Sequence, residues 1–229
     1  MPSTLPAPPV APSPPPAHSR WEWAGGGFAL ALLTGVACGW ALQQAGDWHQ
    51  GLAWERALLA ALPRDFPPLV DAAFLLLPWL GTNLTLMPFV LGAALWLARA
   101  GRRDLALHLA VVQVGSWALN MALKTIFDRT RPSLWEKRGQ FAMASYPSGH
   151  AIATVAVLVT VAFVLYRERG WRWPVVAVAL LGAVSLYSRL YLGVHWPGDV
   201  LAGVLVGAIW LYATVRAFAP RARASSHRP

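Results

Sequence analysis

The 229 residues contain a single cysteine, Cys38, which excludes an intrachain disulfide and any multi-cysteine metal site. Charge is scarce as well. Charged residues make up 13% of the chain, well below the roughly one quarter of soluble globular proteins, and 56% of it is hydrophobic. Acidic residues are fewer still, with 10 Asp and Glu against 19 Lys and Arg and a formal net charge of +9. That balance raises the question of nucleic acid. The basic residues are scattered between apolar runs and line no single helix face, so no nucleic-acid partner is expected. A glycine-rich phosphate loop is missing too, because Gly25-Gly26-Gly27 has no Lys-Ser/Thr after it and opens an apolar run. Gly35-Val36-Ala37-Cys38 lacks the apolar residue that a lipoprotein-type cleavage site places three before its cysteine. The apolar run also continues past it, so a retained membrane anchor is expected.

What the chain has in quantity is apolar length. Ala24 to Gln43, Leu105 to Leu123, Ala151 to Tyr166, Pro174 to Ser188 and Val200 to Val215 are nearly or wholly free of charge, and about 20 such residues cross a bilayer as an α-helix. Between Phe66 and Ala98 the run is interrupted by Asp71, Pro78, Gly81, Asn83 and Pro88, which reads as a surface or re-entrant piece to about Trp79 and one more span from about Leu84 to Ala98. The expected fold is therefore all-α and membrane-integral, a bundle of six transmembrane helices over residues 21–218. A disordered proline-rich tail (1–20) precedes it and a basic tail (219–229) follows it. With both termini cytoplasmic, Arg20, Arg99, Arg102, Arg103, Arg167, Arg169, Arg172 and Arg216 fall on the inner side, as the positive-inside rule requires. The setting expected from these features is the inner membrane of a bacterial-type cell. Many of the thirteen Trp residues fall near span ends, where amphipathic rings favour the interface. Leu52 to Leu62 sets its leucines on one face with Glu55 and Arg56 opposite, which suggests a short interfacial helix, either a gate over a lipid entrance or an ordinary connection.

Three polar clusters interrupt the outer ends of these spans: Lys124 with Arg131-Pro132, then Pro147-Ser148-Gly149-His150, then Ser188-Arg189 with His195 and Asp199. Alternating span direction puts all three at one end of the bundle. Ionisable groups there are costly and mark function. Lys124, Arg131 and Arg189 are cations with few acidic neighbours in sequence, suited to a doubly charged anion, and arginine forks match phosphate oxygens. Ser148 and Gly149 open a helix behind Pro147, where free backbone N–H groups are expected to point at an anion. His195 and Asp199 lie four apart with Pro197 in the first turn, so Asp199 can fix the imidazole tautomer and leave one ring nitrogen to attack phosphorus. His150, from another helix, is placed to protonate the leaving oxygen and then activate water. A zinc site from His150, His195 and Asp199 is disfavoured by three neighbouring cations, so no metal or other cofactor is expected. Arg129 stands outside these clusters, as a partner of Asp128 or as a second phosphate contact.

Lys124 followed after six residues by Arg131-Pro132, then Pro147-Ser148-Gly149-His150, then Ser188-Arg189 followed after five residues by His195 and after three more by Asp199, resembles the three-part signature of the type 2 phosphatidic acid phosphatase superfamily. The resemblance implies a metal-independent membrane phosphatase with a lipid phosphate as substrate. In it His195 is the nucleophile, His150 the acid and base, and Asp199 the orienting carboxylate, while Lys124, Arg131, Ser148, Gly149 and Arg189 bind phosphate. Undecaprenyl diphosphate, phosphatidylglycerol phosphate and phosphatidic acid are the substrates it brings into view, acted on at the outer, periplasmic face. A lipid phosphotransferase or lipid A phosphatase of the same superfamily is the nearer alternative. A non-catalytic lipid or anion carrier is the more distant one.

Overall fold

The computed structural model describes residues 19–63, 66–80, 82–134 and 144–219. These residues form α-helices and connections, with no β-strand among them. Most of the tails expected at 1–20 and 219–229 lies outside the described residues, whereas Ser19 and Arg20 open the first helix.

The helices are α1 (Ser19–Gln44), α2 (Ala53–Ala61), α3 (Pro68–Leu80), α4 (Asn83–Arg99), α5 (Arg103–Ile126), α6 (Gly149–Ala153), α7 (Val159–Arg169), α8 (Trp173–Tyr191) and α9 (Pro197–Ala217). A π-helical turn, Thr154–Leu158, joins α6 to α7. Arg20–Gln44, Arg103–Ile126, Gly149–Arg169, Trp173–Tyr191 and Pro197–Ala217 are long and apolar enough to cross a membrane. The sixth expected span coincides with α4. Its 17 residues rise about 26 Å at 1.5 Å each, a little short of the roughly 30 Å hydrocarbon core.

These helices turn apolar side chains both inward and outward. Val112, Leu119, Leu123, Ile152, Ala156, Val157, Val206 and Trp210 are packed into the centre, while Leu33, Phe89, Leu180 and Leu201 are each more than 60% exposed on the periphery. A bundle so apolar on its outside is stable against lipid and not against water. The chain is accordingly a multi-pass membrane protein.

Close approach of α9 to α6 sets the site. A Cβ at Gly203 would stand 2.6 Å from the Ser148 carbonyl oxygen, so only glycine lets the second turn of α9 reach the start of α6. On the flank, α3 leans on α8 through Phe74, whose ring lies 4.9 Å from that of Tyr191, and Tyr191 donates to Asp71 at 2.7 Å.

The short helix α2 departs from expectation. Leu59 is buried, as the leucine face requires, but Glu55 is buried beside it with no exposed surface and Leu58 is 42% exposed. Glu55 belongs to the inward face because the bundle offers it a cation there, Arg129, and backbone donors. The periodicity of a nine-residue helix could not contain that information.

Candidate active site

Each polar cluster is held by a helix end. Pro197 takes the first position of α9, and Asp199 caps the same helix by accepting the Trp196 N–H at 2.9 Å. Ser148 caps α6, its Oγ accepting from the Ala151 N–H at 3.4 Å. Arg189 lies in the last turn of α8 and Lys124 in the last turn of α5. All four ends meet at one end of the bundle.

Around His195 the geometry is specific. Its Nδ1 lies 3.7 Å from Asp199 Oδ2, and Ser145 Oγ sits between them, donating to Asp199 at 2.5 Å and standing 3.5 Å from the imidazole nitrogen. Arg131 Nη1 lies 3.3 Å from His195 Nε2 and donates to the Val194 carbonyl at 2.6 Å. A guanidinium can only donate. The lone pair of His195 is therefore on Nε2 and its proton on Nδ1, facing Ser145 and Asp199. Burial holds the His195 pKa down to about 3, with Arg131 and Lys124 adding to the depression and Asp199 opposing it. The same burial lowers Arg131 to about 10, with Asp199 again opposing. The imidazole is neutral at any working pH, as a nucleophile must be.

Lys124 Nζ donates to the Ala144 carbonyl, so the loop before Pro147 is tied to the end of α5. Arg189 is 1% exposed, and its Nη1 lies 3.4 Å from His150 Nε2. Its Nε and Nη2 are buried with no hydrogen-bond partner. A buried guanidinium with two unmet donors is a strong demand for an acceptor, because each unmet donor costs about 1 to 3 kcal/mol and the unpaired charge more.

Two sequence-based expectations need correction. The Ser148 N–H is not available to an anion, since it donates to the Asp199 carbonyl at 3.0 Å; this bond ties the start of α6 to the start of α9. Gly149, at the first helical position, is the amide with no acceptor in its own helix, and a Cβ there would meet Asn120 at 2.7 Å. Arg129 does not pair with Asp128. Fully buried, it donates to Glu55 through both terminal nitrogens (2.5 and 3.2 Å), to Asp199 Oδ1 at 2.7 Å and to the Trp48 carbonyl at 3.0 Å. It is sandwiched between the rings of Trp48 and Trp196, at 4.4 and 5.5 Å from their centroids. Glu55 in turn accepts from the Gly198 N–H at 3.0 Å and the Leu52 N–H at 2.9 Å, so α2 is riveted to the start of α9.

Glu55 and Ser145 were thus missed from the sequence. Ser145 stands two residues before Pro147, between Ala144 and Tyr146. Glu55 is one acid on a short amphipathic helix, and no local pattern distinguishes it from a solvated one.

The comparisons with known proteins bear on this arrangement. The model of the PAP2 superfamily matches residues 105–223. The chain belongs to the PAP2 superfamily. The match runs from α5 through α9 and contains every residue of the three clusters. Among curated relatives, this PAP2 chain is 30% identical over 158 residues to YbjG of Escherichia coli (strain K12), whose name assigns it as an undecaprenyl-diphosphatase. That alignment covers 67% of this chain and 75% of YbjG. It is 26% identical over 121 residues to undecaprenyl-diphosphatase BcrC of Bacillus subtilis (strain 168), covering 51% of this chain and 60% of that one. Its fold is shared with the PAP2-type phosphatidylglycerolphosphate phosphatase from Bacillus subtilis, with a TM-score of 0.66, 22% identity and coverage of 83% and 93%. Aquifex aeolicus LpxE gives a TM-score of 0.55 at 22% identity, with coverage of 72% and 97%. The chain is a hydrolase of this superfamily, a membrane lipid phosphatase.

Proposed function

We propose that the protein removes a phosphate from a polyprenyl diphosphate lipid, with His195 as nucleophile, at the outer face of the inner membrane. The observation that carries the reading is Arg189, buried beside His150 with two nitrogens unmet. A phosphoryl group on Arg189, Arg131, Lys124 and the Gly149 amide satisfies those donors together and has its transition-state charge spread across them.

In the first step the Nε2 lone pair of His195 forms a bond to phosphorus as the bond from phosphorus to the lipid-side oxygen breaks. His150 gives a proton to that oxygen. The Nδ1 proton stays directed at Ser145 and Asp199, which stabilise the cationic phosphohistidine. In the second step His150 takes a proton from water, the water oxygen bonds to phosphorus, and the phosphorus–nitrogen bond breaks to return neutral His195 and release phosphate. An anion seated on Arg189 takes over the donor that now faces His150, freeing that imidazole to carry its proton.

Undecaprenyl diphosphate is the first substrate of choice because YbjG and BcrC both carry that activity in their names. A 68-residue stretch also matches an undecaprenyl-diphosphatase of Sulfolobus acidocaldarius at 44% identity. Residues 21–218 form the catalytic domain in this reading. Six helices span the bilayer, α4 with local thinning, and both termini are cytoplasmic.

Purified protein in detergent should release phosphate from undecaprenyl diphosphate faster than from phosphatidylglycerol phosphate, phosphatidic acid or lipid A, with chelator present throughout. A preference for lipid A moves the assignment to a lipid A phosphatase, and loss of activity on chelation would overturn the metal-free mechanism.

The ionisation of His195 gives a second expectation. A sequence-based view requires a bell-shaped rate profile, with His195 neutral and His150 protonated. With His195 held at about 3, its acid limb in kcat/KM falls near pH 3. From pH 5 upward, after correction for the substrate's own ionisation, only the alkaline limb of His150 remains. For stability the sign is the same: the unfolded chain binds a proton below about 6.5 that folded His195 refuses down to about 3. This contribution is therefore complete above 6.5 and is lost as the pH falls from there. Ring nitrogen shifts of labelled histidine, followed by NMR between pH 3 and 8, check both points.

A further inference from the structure

At the end of the bundle opposite the candidate active site, the start of α1, the α4–α5 turn, the end of α7 and the end of α9 converge on a cavity of about 340 Å³. It is lined by Arg20, Arg102, Arg103 and Arg167, with Asp104 as the one carboxylate and Leu105 and Phe218 as apolar wall. Arg20 pairs with Asp104 at 3.0 Å and lies over the Phe218 ring at 4.8 Å, and Arg102 pairs with Glu168. These two bridges use the available acids. Arg103 and Arg167 have no acidic partner among the described residues, and Arg20 Nε is buried with no hydrogen-bond partner.

A positive-inside bias accounts for the number of arginines at this end. It does not account for their convergence, because guanidinium groups serving topology alone lower their energy by spreading into water and headgroups. Four from three segments facing one cavity repel each other, and an anion among them relieves that repulsion. Residues 1–18 and 220–229 contain no Asp or Glu, and the latter add Arg221, Arg223 and Arg228. Planar donors in such number match phosphate oxygens. An apolar wall beside them matches the glycerol and first acyl carbons of a lipid. Behind Phe218, and stacked on it at 4.8 Å, lies His108, fully buried with neither ring nitrogen bonded, a further unmet polar group at this end.

We propose that this cavity is a second, non-catalytic phosphate site that holds the headgroup of an anionic phospholipid of the opposite leaflet. It is independent of the substrate chosen for the catalytic site, since no residue is shared between them. Occupancy clamps the ends of α1, α5, α7 and α9 together.

The test uses the full chain, purified and stripped of lipid in mild detergent. Binding of dioleoylphosphatidylglycerol, dioleoylphosphatidylcholine and inorganic phosphate is followed by native mass spectrometry and by thermal stabilisation. Phosphatidylglycerol is expected to bind and stabilise in preference to phosphatidylcholine. The Arg103→Gln/Arg167→Gln double variant should bind it about tenfold more weakly while hydrolysing substrate at the wild-type rate. Asp104→Asn should bind it more tightly, a gain that misfolding cannot produce. Stabilisation by inorganic phosphate alone, lost in the double variant, would overturn the lipid headgroup and assign a soluble phosphate anion to the cavity. Equal phosphatidylglycerol binding by wild type and both variants would overturn the site itself.

Discussion

His195→Ala should abolish lipid phosphate release, by at least about 10³-fold in kcat, because in the proposed mechanism its imidazole forms the bond to phosphorus. Folding should survive the change. Asp199 keeps Arg129, Ser145 and the Trp196 N–H as partners, so no buried charge is left alone, and the thermal midpoint in detergent should fall little. Wild-type enzyme quenched during turnover of lipid labelled in its terminal phosphate should carry label that acid removes and alkali does not. The variant should carry none. Retained turnover in His195→Ala, or label in the variant, would remove His195 from the nucleophile's role.

Arg129→Ala should be the most damaging change outside the three clusters. It leaves Glu55 and Asp199, neither with any exposed side chain, without their common counter-charge, a loss of about 3 to 5 kcal/mol when one partner of a buried pair is removed. It also removes the bond to Asp199 Oδ1 and loosens the carboxylate's hold on His195, and a displacement of about 1 Å at the reacting centre costs on the order of 10²-fold in rate. Arg129 directs its donors to the two carboxylates and the Trp48 carbonyl. The loss should therefore appear in kcat with KM nearly unchanged, together with a lower thermal midpoint. Glu55→Gln keeps the shape and one acceptor, so it should show the same pattern more weakly. A rise in KM for the lipid with kcat preserved would make Arg129 a direct phosphate contact, the second of the two roles its sequence position allows.

The buried Glu55–Arg129 pair also bears on α2 as a gate. A helix whose acid accepts from Gly198 in the first turn of α9 and holds the cation bonded to Asp199 cannot swing away without disturbing the Asp199 carboxylate. The geometry favours the connecting role for α2, with its exposed face, Trp54 and Leu58, turned outward.

Much of the site was legible without coordinates. Hydropathy is a local property, and lipid rewards it residue by residue, so α1, α5, α8 and α9 coincide with runs visible in the sequence. Alternation of the spans then brings Lys124, His150, Arg189 and His195 to one end, because a chain crossing a bilayer has few other ways to return. The spacing of His195 and Asp199 about the start of α9 is likewise local, set by Pro197 and one helical turn. Polar groups that pair across long separations were not legible. Glu55 lies 74 residues from Arg129, and Ser145 lies 54 from Asp199; nothing near either residue in the chain marks its partner. The Ser148 N–H, which local geometry frees for an anion, is taken by a carbonyl from α9 because Gly203 lets that helix come so close.

The amino-acid sequence by itself determined the membrane helices, the end of the bundle where the chemistry gathers and the residue types able to bind and attack a phosphoryl group, since each follows from hydropathy, periodicity and side-chain chemistry over short stretches. Tertiary structure alone decided which nitrogen of His195 faces Arg131, what holds Asp199 and which cations have no acid to meet them. These depend on the distances between groups far apart in the chain, and only the packing of the helices sets those distances.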